Sequence, residues 1–171
     1  DSWHENQRAL LPDGLHTCPA GRIMLEFKYS ESFGVDAIRQ TQAYDWFYRS
    51  SENLTEDELH TFLICSKTPK PERLKALGYI ACRQPGVYRH RYDQLNNVGL
   101  ISLNELSDES HNLAFKLFAS KRRVRAHTIE TLIDRTQVTE EVLYFFRALH
   151  EQGECPMRIT EDEIREYERM L

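Results

Sequence analysis

The sequence predicts an α/β fold in the order β-β-α-β, then a hairpin and a further strand, then helices. Three observations carry that reading. Residues 22–29 alternate as a strand does, with Ile23, Leu25, Phe27 and Tyr29 on one face and Met24, Glu26 and Lys28 on the other. Residues 35–49 contain neither Pro nor Gly and read as a helix, and the apolar run 60–66 reads as a buried strand. A helix between two strands implies that they pair in parallel across a right-handed connection. The third observation is the stretch from residue 107 onward, which carries helix signals throughout.

Element by element, a helical pattern over 3–11 opens the chain, with Glu5 as a solvated residue on it. Pro12-Asp13 leads into a short strand, 14–18, and Pro19-Ala20-Gly21 turns the chain back, so this hairpin should carry Asp13 close to Glu26. The face of strand 22–29 that carries Ile23, Leu25, Phe27 and Tyr29 is expected to be core. Helix 35–49 is rich in aromatics, and Tyr44, Trp46, Phe47 and Tyr48 are expected to pack on the sheet rather than to stack on bases. Thr55 and Glu58 have the spacing of a capping box. A short helix at 71–77 precedes a hairpin of 79–83 and 86–92 around Gln84-Pro85-Gly86, and 98–103 is a further strand.

The helix opened by Ser107-Asp108-Glu109 presents Leu113, Ala114, Leu117 and Phe118 on one face. It either breaks near Ser120 or runs on through Ile129 and Leu132. A helix at 139–150, whose stripe of Leu143, Tyr144, Phe146 and Leu149 should pack on the sheet, and a last helix capped at Thr160 complete the chain. The organisation expected is an α/β core at 1–106 with a helical extension, 107–171, packed on it.

Composition narrows the function. A chain of 171 residues that is 40% hydrophobic can bury a single core. No run approaches the length of a membrane span, and no signal-peptide pattern opens the chain. Cys18, Cys65, Cys82 and Cys155 are scattered without a C-x-x-C pair, so structural zinc is not expected and reduced thiols in a cytoplasmic protein are. The seven histidines form no H-x-x-x-H pair and read as unrelated to metal, although His16 lies within reach of Asp13. A net charge of −5 argues against a protein that coats DNA, so nucleic-acid binding needs a local basic surface. The run Lys121, Arg122, Arg123 and Arg125 is the best candidate. Arg89-His90-Arg91 and the set Lys67, Lys70, Arg73 and Lys75 follow, and each reads equally as a solvated face.

The chemistry concentrates in residues 12–44. Glu26 and Lys28 share one strand face, and with Asp13 they make two carboxylates and an amine, the donor set of a divalent-cation site that can activate water. The plainer reading is an ion pair on an edge strand beside an Asp-Gly turn. Gln40 and Tyr44 stand i, i+4 on one helix face and can reach the same place.

Pro12-Asp13, Glu26-Phe27-Lys28 and Gln40-Thr41-Gln42-Ala43-Tyr44, in this order, resemble the PD-(D/E)XK nuclease superfamily and its RecB-like branch with a Q-x-x-x-Y box. The resemblance implies a restriction-endonuclease-like core, a mixed central sheet flanked by helices, and metal-dependent hydrolysis of phosphodiester bonds, in DNA or alternatively RNA. Asp13, Glu26 and the Phe27 carbonyl would ligate one or two Mg²⁺ or Mn²⁺ ions. Lys28 would orient water or steady transition-state charge, and Gln40 and Tyr44 would position Lys28 or the phosphate. A homo-oligomer or a helicase-type partner fits an enzyme of this kind. The iron–sulfur cysteines of some relatives are missing, since only Cys155 lies near this C-terminus. Only a dozen residues precede Asp13, too few for the helix and strand that usually open the family core, so that element is short or further residues precede Asp1. The alternative is a nuclease-fold protein without activity that binds nucleic acid or protein. The nuclease reading requires Asp13, Glu26 and Lys28 to converge, and an Asp13 remote from Glu26 breaks it.

Overall fold

In the computed structural model, which describes residues 8–92 and 97–135, β1 (Arg22–Lys28) and β2 (Leu59–Cys65) lie parallel, joined by α1 (Val35–Glu52). Then come α2 (Pro71–Ala76), β3 (Tyr79–Ala81), β4 (Val87–His90), β5 (Gly99–Ser102), α3 (Ser110–Lys116) and α4 (Arg122–Asp134). The five strands form one mixed sheet in the order β1-β2-β5-β4-β3: β5 is parallel to β2, and β4 is antiparallel to both β5 and β3. This is the α/β architecture, a mixed sheet flanked by helices, that strand alternation and the crossover helix predict. No described helix is long and apolar enough to cross a membrane.

Register fixes what each face can hold. Residues opposite one another in a ladder point the same way, so Glu26 shares a face with Leu63, and Lys28 with Cys65 and Ser102. On that face Leu63, Cys65 and Leu100 pack with Phe33, Ala37 and Ile38 at the start of α1. The opposite face carries Phe62, Ile64 and Ile101, packed with Leu15, Cys18, Leu106 and Ala119. Strand β2 is thus buried on both sides, which is why it reads as a continuous apolar run rather than an alternating one.

Four expectations change. Residues 14–18 are turns, not a strand. Leu15 and Cys18 are buried in the core while the backbone bonds locally, Leu15 N–H to Pro12 O and Cys18 N–H to Leu15 O, and Arg8 ties down the carbonyls of Cys18 and Ala20. Gly14, at φ +87°, admits this path because a Cβ there would lie 3.0 Å from Val87. Second, Leu25, Phe27 and Tyr29 are exposed: β1 is the sheet edge, and the core on their face gathers over β2 and β5. Third, the α1 aromatics do not pack on the sheet; its buried residues are Ala37, Ile38, Thr41 and Asp45, while Trp46 and Phe47 are both 63% exposed. Fourth, only half of the capping box forms, and around a turn rather than a helix: the Thr55 N–H and hydroxyl both donate to Glu58 Oε2 at 2.8 Å, while the Glu58 N–H donates to Thr55 O.

The helical segment breaks at Ser120. There Asn104 donates to Ser66 O and Ser120 Oγ, Lys121 N–H donates to Asn104 Oδ1, and Ser120 N–H donates to Ser66 O, so the chain leaves the helix to dock on the end of β2. The helices expected at 139–150 and after Thr160, the start of the 3–11 helix with Glu5, and Cys155 lie outside the described residues.

Candidate functional site

The C-terminal end of β1 gathers a buried ammonium, two carboxylates and an amide. Lys28 is only 5% exposed, and its Nζ lies 3.0 Å from Glu26 Oε1 and 3.1 Å from Glu31 Oε2. It donates at 2.6 Å to Gln40 Oε1, and Gln40 Nε2 donates at 2.7 Å to the Tyr44 hydroxyl. The strand period sets Glu26 beside Lys28, the helical period sets Gln40 beneath Tyr44, and the parallel crossover lays one on the other. Burial works against the ammonium, but the hydrogen bonds and charges of Glu26 and Glu31 outweigh it and raise the Lys28 pKa above its ordinary 10.5. The amine is therefore charged at neutral pH and serves as a cation, not a base. Below it, burial pushes the Cys65 thiol up to about 12, so that cysteine is inert.

The Phe27 carbonyl has a place at this end. Lys28 O accepts Ser66 N–H from the β2 side, and ladder bonds alternate along a strand, so the Phe27 carbonyl points away from β2, to the side of β1 where no described strand pairs.

Asp13 is not brought to Glu26. It lies on the opposite side of the sheet, where the turn before β1 meets α3. Its N–H donates at 2.8 Å to Asn112 Oδ1, its Oδ2 accepts from Asn112 Nδ2 at 2.8 Å and Ser107 Oγ at 3.3 Å, and its Oδ1 faces His111 Nε2 at 3.1 Å. The physical reason is the missing strand at 14–18. Without a ladder to hold it against β1, the Pro12-Asp13 segment folds over the other face with Leu15 as its anchor. Burial acts to raise the Asp13 pKa, but the bonds from Asn112 and His111, the His111 charge and the Ser107 bond hold it below its ordinary 3.8.

The basic run divides. Lys121, Arg122 and Arg123 are exposed at the start of α4, whereas Arg125 is buried and donates to the carbonyls of Ala119 at 2.8 Å and Ser120 at 3.2 Å. Arg125 is a structural clamp on the helix break and is not available to phosphate.

Sequence reasoning missed Glu31, His111, Asn112 and Ser107. A Lys-x-x-Glu spacing after a strand was a visible signal for Glu31; the other three stand more than ninety positions from Asp13, and no spacing rule reaches them. The chain matches no protein-family model, no curated protein and no solved structure.

Proposed function

We propose that this protein is a metal-dependent phosphodiester hydrolase acting on nucleic acid, DNA in the first instance, with a restriction-endonuclease-like core built around β1, α1 and β2. The observation that carries the reading is the wired set Glu26, Lys28, Gln40 and Tyr44: the amine is held by the glutamine of the Q-x-x-x-Y box, as the resemblance implies. Asp13 lies away from Glu26, so the nuclease reading fails in the form that required their convergence; in the revised form proposed, Glu31 supplies the second carboxylate. Glu26 and Glu31 both lie against Lys28 Nζ, Glu31 is exposed, and the Phe27 carbonyl points away from β2. Three hard oxygen donors suit Mg²⁺ or Mn²⁺.

A bound ion would supply Lewis acidity toward a phosphoryl oxygen and a more acidic water. The chain's own contribution is electrostatic and positional. Glu26 accepts a hydrogen bond from the attacking water and aims it at phosphorus, and the proton that the water loses as the new P–O bond forms passes to solvent. As the new P–O bond forms and the bond to the leaving oxygen breaks, negative charge grows on the phosphoryl oxygens, and the Lys28 ammonium offsets it. The leaving oxygen takes its proton from solvent. Gln40 keeps the ammonium in place, and Tyr44, half-exposed, borders the path by which a phosphate backbone arrives. Of the run at the start of α4, Lys121, Arg122 and Arg123 are exposed and would track that backbone.

A second reading, a nuclease-fold protein that binds without cutting, is favoured by one observation, the engagement of Asp13 by Asn112 and His111 on the far face. Labelled linear and circular DNA incubated with Mg²⁺ or Mn²⁺ separates the two. Cutting that falls at least about a hundredfold in Lys28→Ala supports the hydrolase. Binding of the same DNA without cutting supports the second reading.

A further inference from the structure

We infer that Asp13, His16 and His111 form a second metal site, specific for a borderline divalent ion of the Zn²⁺ class and separate from the Glu26–Lys28 end of the sheet. The carboxylate of Asp13 is divided between two jobs. Oδ2 is fixed by Asn112 Nδ2 at 2.8 Å and Ser107 Oγ at 3.3 Å, while Oδ1 is turned toward His111 Nε2 at 3.1 Å and His16 Nδ1 at 3.9 Å. The two imidazoles stand edge to face with centroids 5.1 Å apart, and one atom from each of the three residues falls within 4.8 Å of the other two.

A tetrahedral Zn²⁺ with bonds near 2.0 Å needs ligand atoms roughly 3.3 Å apart, so small rotations of the two half-buried rings close the set. His16 Nδ1 rests 3.4 Å from Pro12 O and would exchange that contact for the ion.

The chemistry of the donors chooses the metal. Two imidazole nitrogens and one carboxylate oxygen suit Zn²⁺, Fe²⁺ or Co²⁺ and not Mg²⁺, which keeps to oxygen. Asn112 is completely buried, and it accepts from Asp13 N–H, donates to Asp13 Oδ2 and donates to Ser107 Oγ at 2.8 Å. That is the outer-shell support which metal-binding carboxylates have, and it orients Oδ1 before any ion arrives. Three protein ligands leave a coordination position open to water. The ligands also join the turn before β1 to α3 across 98 positions of sequence, so occupancy adds to the stability of the fold.

Isothermal titration of the metal-stripped protein with Zn²⁺, alongside its melting temperature and the visible spectrum with Co²⁺, tests the site. One ion per chain, a raised melting temperature and at least about tenfold weaker binding in both His16→Ala and His111→Ala support it. Cys18→Ser is the control, because Cys18 Sγ lies 3.1 Å from His60 Nδ1 and that sulfur–imidazole pair offers zinc a different place to bind. Zinc affinity that survives both histidine variants, or falls only in Cys18→Ser, overturns the assignment, as does the absence of one-to-one binding. His16 lies in a surface turn, so its variant stays informative if His111→Ala fails to fold.

Discussion

Lys28 shows how one side chain can be decided by its neighbours. Glu26, Glu31 and Gln40 satisfy three hydrogen-bonding directions of an ammonium that burial works against. Gln40→Ala leaves Lys28 charged but less well placed, and cleavage should fall about tenfold to a hundredfold, measured under single-turnover conditions. Asp13 carries a stability prediction of its own. Its folded pKa lies below 3.8, so its contribution is complete above that value and is lost as pH falls through the folded pKa. The stability gap between the native protein and Asp13→Asn, followed by urea titration, should be widest above pH 3.8 and narrow below it. Asn112→Ala removes the shorter of the two hydrogen bonds to a buried carboxylate oxygen and strands the Asp13 N–H, and should cost roughly 3 kcal/mol by the same method. These residues differ in legibility for a physical reason. Glu26, Lys28, Gln40 and Tyr44 meet through strand and helix periods that a sequence displays directly. Asp13 meets Ser107, His111 and Asn112 only through tertiary packing.

At the scale of elements, α1 was legible as a helix and illegible as a surface. Its inward face is Ala37, Ile38, Thr41 and Asp45, of which Ile38 alone is a large apolar side chain, and the bulky aromatics are left outside. Asp45 explains the inversion. It accepts from Thr61 of β2 and holds both arms of the Arg49 guanidinium, which also donates to the carbonyls of Thr55 and Leu59. A buried carboxylate thus clamps the end of α1 to the sheet where an apolar contact was the simpler expectation. Asp45→Ala should destabilise by about 3 kcal/mol, read from thermal or urea unfolding, because it removes the carboxylate partner of the Arg49 guanidinium and the acceptor of the buried Thr61 hydroxyl. The hairpin of β3 and β4 was read more closely, since Gln84-Pro85-Gly86 announces its turn. Gly86 sits at φ +76°, and a Cβ there would meet the Leu106 nitrogen and the Ser102 oxygen at 2.8 Å. The strand expected at 14–18 failed on the opposite ground: its apolar residues serve to plug the core rather than to pair.

Across the whole molecule, the sheet separates two sets of chemistry-bearing side chains. The face covered by α1 holds the charged Lys28 with its two glutamates, and the face covered by α3 and α4 holds Asp13 with two histidines. The order of elements and the parallel crossover could be read from periodicity, but which face the Pro12-Asp13 segment would choose could not, because that depends on a core formed from β2, β5 and the residues after Leu103. The central claim is that hydrolysis takes place on the α1 face, with Glu31 supplying the carboxylate that Asp13 does not. Single-turnover cleavage of DNA in Mn²⁺ by Glu31→Gln, set beside Asp13→Asn with folding of both verified by circular dichroism, tests it most directly. The prediction is a loss of about a hundredfold or more in Glu31→Gln. Full activity in Glu31→Gln, together with abolished activity in a folded Asp13→Asn, would contradict it.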